Sequence, residues 1–84
     1  MTNAGKRIKE LRLQKELSID MLVADVNSRY PDLKLNKSML SRWENGQNDP
    51  SLEYAKYICQ YFDVSLDYLI GLTDSKLPAR FRKG

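Results

Sequence analysis

Between Asn36 and Gly46 the chain reads NKSMLSRWENG, and most of its polar side chains are suited to directed hydrogen bonds. Wound as a helix at about 100° per residue, Lys37, Ser38, Ser41, Arg42 and Asn45 fall within one arc of about 140°. Leu40 and Trp43 point the other way. An ammonium, a guanidinium, hydroxyls and amides in one row match the donor and acceptor groups on base edges, and a major groove admits a helix. Asn36 and Asn45 bracket the row, where contacts to a phosphate backbone fall. A solvated helix face can carry the same residues, so the row alone leaves two readings open.

The row needs a scaffold, and the rest of the chain reads as helices. AGKRIKELRLQKE sets Ile8 and Leu11 three apart among basic residues, as a surface helix does. Ser18 is an N-cap with Asp20 in the first turn of a second helix, whose apolar face is Leu22, Val23 and Val26. Pro31 ends that helix near Tyr30. Asn36 caps the third helix and Gly46 stops it, since glycine enters the left-handed region freely. QNDP is turn chemistry. Ser51 then caps LEYAKYICQYF, with Leu52, Ala55, Ile58, Cys59 and Phe62 at core spacing. Ser65 caps a short LDYLI ending at Gly71. The expected class is all-α, with residues 1–74 as the domain and 75–84 as a basic linker or tail.

Composition narrows the function. The chain has 84 residues, 42% hydrophobic and 30% charged, which describes one small globular domain. Its net charge is +3, and residues 1–43 hold nine basic against five acidic residues. That balance points weakly to a polyanion and fits ordinary surface charge as well. With no histidine, the commonest general base and metal ligand is missing. The single cysteine, Cys59, sits on an apolar helix face, and no glycine-rich phosphate loop or paired-cysteine spacing occurs. We expect no catalysis, no cofactor and no metal. Tyr54, Tyr57, Tyr61 and Tyr68 read as packing residues with wet hydroxyls. No apolar run approaches the roughly 18 residues of a membrane span.

The motifs RIKELR, KSMLSRWENGQNDPSL and FDVSLDYLIGL, in this order and spacing, resemble the lambda-repressor-like helix–turn–helix family. The group includes Cro/C1-type and XRE-type regulators and the N-terminal domains of temperate-phage repressors. The likeness covers residues 5–72. It implies a compact five-helix domain that binds double-stranded operator DNA with its third helix in the major groove. Lys37, Ser38 and Arg42 match positions that reach base edges, with Met39 and Ser41 beside them. Asn36 and Asn45 match phosphate-binding positions, and Gln47 lies within reach of another phosphate. Arg12 and Glu44 match a pair that in some members forms a salt bridge.

Two departures stand out. Where the family opens helix 2 with a phosphate-binding glutamine, this chain has Ile19 followed by Asp20, leaving the Ser18 hydroxyl and backbone N–H groups. The connection NSRYPDLKL, residues 27–35, is longer than the usual turn of about 3–4 residues. Arg29 and Lys34 in it could meet phosphates, or the segment is a tolerated surface insertion.

Val64, Leu66, Leu69 and Ile70, with Leu72, are more apolar residues than helix 5 is expected to bury against one small core. The resemblance implies a two-fold contact there and a homodimer. The basic end at Gly84 reads as the cut end of a longer chain whose missing part would strengthen that dimer. The overall expectation is a phage or prophage repressor acting in the bacterial cytoplasm, on the nucleoid when bound. The same fold as an antitoxin or activator, or as a protein-interaction module using the helix 3 face, fits the same residues.

Overall fold

Five helices in a row make up the described part of the chain, residues 2–76 of a computed structural model. They are α1 (Ala4–Gln14), α2 (Ile19–Arg29), α3 (Lys37–Glu44), α4 (Leu52–Phe62) and α5 (Leu66–Leu69). The basic tail expected over 75–84 lies, from residue 77 on, outside the described residues.

Local chemistry sets the helix ends. Ser18, Asn36, Ser51 and Ser65 each accept a hydrogen bond from the backbone N–H three residues on, satisfying one of the orphan donors of the first turn. α3 closes with a Schellman pair. The Gln47 N–H donates to the Arg42 carbonyl and the Gly46 N–H to the Trp43 carbonyl, with Gly46 at φ +77°. α1 and α4 close the same way through Glu16 and Asp63, both at positive φ. No glycine marks those two ends, so the sequence carries no obvious stop signal there.

Each helix drives at least one side chain fully inside: Ile8, Leu22, Val26, Leu40, Ile58 and Leu69. Burying each contributes about 1.5–3 kcal/mol relative to exposure. α3 is held between α1 and α2, with Leu40 and Trp43 in the core. At the α1–α3 contact the backbone of Gly5 lies directly against the Trp43 carbonyl.

Three expectations need correction. Leu52 is 78% exposed. It is the first residue of α4, ahead of the turns whose Ala55, Ile58, Cys59 and Phe62 face inward. Tyr61 and Tyr68 are buried rather than wet-edged. The Tyr61 hydroxyl donates to Asp25 on α2, and the Tyr54 hydroxyl donates to the Leu33 carbonyl. Burial first, and the Asp25 bond second, push the Tyr61 phenol up to about 12.

The long connection is also no loose insertion. Leu33 and Leu35 are core residues. The Asn27 amide clamps Leu35 from both sides, donating to its carbonyl at 2.7 Å and accepting from its N–H at 2.8 Å. The connection therefore hands α3 a fixed starting point.

Candidate nucleic-acid interface

Lys37, Ser38, Ser41 and Arg42 line one shallow, open hollow on the outer face of α3. Lys37, Ser38 and Arg42 are exposed, while Ser41 and Met39 are half-buried. The geometry follows from the inward pull of Leu40 and Trp43: the residues 100° to 200° away around the helix have nowhere to go but out.

The bracketing asparagines do local work as well. The Asn36 Oδ1 accepts from the Met39 N–H, so its amide NH2 is the group left for an outside acceptor. Asn45 forms the C-cap, and its Nδ2 leans back on the Ser41 hydroxyl at 3.4 Å. Gln47 is exposed just beyond the glycine stop. The Ser18 oxygen accepts from the Met21 N–H while the hydroxyl proton stays free to donate.

Of the two cations expected in the connection, Lys34 is exposed two residues before the α3 cap, held at φ +56° between the buried Leu33 and Leu35, whereas Arg29 is the last residue of α2. Arg29 is differently engaged. Its guanidinium sits 5.1 Å from the centre of the Tyr61 ring, on the side of α2 that meets α4. Neither lines the hollow.

Ile19, in place of the family's glutamine, packs half-buried against the core. Asp20 beside it is exposed, and its Oδ1 stands 3.7 Å from the Lys37 Nζ. Sequence reading missed this pair because nothing local couples residues 17 positions apart.

Arg12 and Glu44 meet in a two-pronged ion pair. Nε donates to Oε2 at 2.9 Å and Nη2 to Oε1 at 2.8 Å. A third bond runs from Nη1 to the Leu17 carbonyl. The two side chains are 10% and 4% exposed, so the pair is desolvated. The carboxylate raises the guanidinium pKa further, against the opposing effect of burial. The pair ties the last turn of α3 to α1 and to the entry of α2.

Near the end of the domain, Val64 and Leu69 are buried in the chain's own core, so they cannot serve as surface contacts. Leu66 and Leu72 remain on the surface, with Ile70 half-buried between them. Val64 follows the left-handed Asp63 and turns inward with the chain; Leu69 is fully buried on α5, which packs against α4 and α1.

Cys59 is buried among the described residues. Burial pushes the Cys59 thiol up to about 11, so little thiolate forms near neutrality. No three His, Cys, Asp or Glu side chains converge there to hold a metal. No described helix is long and apolar enough to cross a membrane.

The model of the helix-turn-helix domain family matches residues 5–75, all of the five-helix body but its first residue. The chain belongs to this helix-turn-helix family. The helix-turn-helix chain is also similar to a Bacillus subtilis (strain 168) protein, the uncharacterized HTH-type transcriptional regulator YobD. The two are 28% identical over 78 residues, covering 93% of this chain and 63% of that relative. No solved structure matches the helix-turn-helix chain.

Proposed function

We propose that this chain is the DNA-binding domain of a transcriptional regulator, a repressor of phage or prophage origin acting in the bacterial cytoplasm. It occupies operator sites as a dimer with α3 in the major groove. The observation that carries the reading is the hollow of Lys37, Ser38, Ser41 and Arg42, on a helix whose other side is locked into a helix-turn-helix core. Lys37, Ser38 and Arg42 read base edges, with Met39 and Ser41 in support. Asn36, Asn45, Gln47, Ser18 and Lys34 grip phosphates and set the register. Arg29 reaches a phosphate only by leaving the Tyr61 ring. The regulator role is supported by the likeness to the B. subtilis HTH-type transcriptional regulator. Leu66, Ile70 and Leu72 form the patch through which two copies meet, spacing half-sites about one DNA turn apart, roughly 34 Å.

The test is binding to random and selected duplexes at several salt concentrations. The expected logarithmic slope is about −0.9 for each phosphate neutralised, so binding to random duplex weakens steeply with salt. A chain that binds no duplex at low salt is not a DNA-binding domain, and the α3 face then belongs to a protein partner. On a selected site, Arg42→Ala is expected to cost about 1–3 kcal/mol and to relax one base position. A loss of equal size on every sequence would move Arg42 from base edge to phosphate.

A further inference from the structure

We propose that Asp20 is a positioning residue for Lys37: its carboxylate holds the ammonium over the base-reading row and keeps it off the neighbouring phosphates. The inference rests on the DNA-binding reading above and adds to it a residue that raises sequence discrimination.

The geometry supplies the parts. Lys37 is the first residue of α3 and Asp20 the second of α2, and each follows a capped helix start, Asn36 and Ser18. The backbones beneath the two side chains are fixed by Leu22 and Leu40, both fully buried. The Oδ1–Nζ distance is 3.7 Å, with side chains 74% and 68% exposed. Such a pair is weak and yields readily. It is nevertheless the carboxylate that meets Lys37 among the described residues, and Ile19 beside it packs towards the core, leaving Asp20 exposed at the start of α2.

Lysine is a mobile point charge on a four-carbon stem. Unrestrained at the edge of a groove it goes to phosphate, which strengthens binding to every sequence alike. Paired with Asp20 it contributes less to random duplex, by the modest amount that an exposed pair supplies. On the right site a base acceptor draws it away at small cost. Specificity is a difference of affinities, so subtracting from the non-specific term raises it.

The experiment is a cycle of Asp20→Asn and Lys37→Gln in the full chain, measured against random duplex and against a site selected from a random pool. With Lys37 intact, Asp20→Asn is expected to raise random-duplex affinity roughly two- to fivefold and to steepen the salt slope by about one phosphate, ~0.9. Affinity for the selected site changes less, so the ratio of the two falls. In the Lys37→Gln background the same change is expected to have no effect, and Asp20→Glu to keep the wild-type ratio. A melting curve for each variant checks that the fold is kept. An unchanged ratio overturns the role of Asp20 alone. So does an effect that persists without Lys37, which would make Asp20 a plain repellent of phosphate. A wild-type chain that binds no duplex overturns both readings.

Discussion

Replacing Gly5 by alanine is expected to destabilise the domain by at least about 3 kcal/mol, the upper end of what overpacking normally costs. A Cβ built at Gly5 would stand 1.7 Å from the Trp43 carbonyl oxygen and 2.4 Å from its carbon. Both are backbone atoms, so no side chain can swing aside. The clash must be relieved by separating α1 from α3. Alanine's better helix propensity opposes this by only about 1 kcal/mol. A domain of this size is stable by roughly 4–12 kcal/mol, so the melting temperature should drop by about 12 °C or more. Gly46→Ala is the control. A Cβ there meets nothing within 4 Å, and the cost is that of the left-handed φ of +77°, about 1–2 kcal/mol. Unfolding curves that leave Gly5→Ala as stable as the parent would mean the two helices are not in backbone contact. DNA affinity follows, since the shift moves the end of the helix that carries Arg42.

Those two glycines show what the sequence discloses and what it withholds. Gly46 follows an apolar helical pattern and precedes turn residues, so its role is read locally. Gly5 looks like a poor helix residue, and its reason lies 38 positions away at Trp43. The four capped helix starts were legible for the same local reason, because Ser18, Asn36, Ser51 and Ser65 bond within their own first turns. What failed was the allotment of apolar residues between inside and outside. Leu52 has core spacing and lies outside; Val64 and Leu69 looked surplus and lie inside. Periodicity gives a helix its face but not the depth of the partner it meets. The packing of the connection 27–35 is hidden for a related reason. Leu33 and Leu35 alternate like nothing helical, and the bonds that seat them come from afar: the Asn27 amide holds Leu35 and the Tyr54 hydroxyl holds Leu33. On α3 the exposed row was legible, whereas the Asp20 carboxylate beside it depends on how α2 and α3 cross.

Removing Arg12 is expected to cost about 3–5 kcal/mol, because Arg12→Met leaves the Glu44 carboxylate buried without its counter-charge. The carboxylate is 4% exposed and takes two of its hydrogen bonds from Arg12, so water cannot replace them without opening the core. The Leu17 carbonyl loses its donor in the same change. Arg12→Lys should recover only part, since one ammonium cannot reproduce the planar fork. The informative variant is the double replacement, Arg12→Met with Glu44→Met. Taking both charges out removes the desolvation cost together with the attraction, so the double variant should be more stable than Arg12→Met alone by several kcal/mol. Urea unfolding of the four members of this cycle gives the coupling directly. A single-variant loss below about 1 kcal/mol would mark the pair as solvent-screened. If the double variant regains stability and yet binds DNA less well, the pair serves to fix α3 against α1, where two methionines would leave the helix free to settle in more than one way.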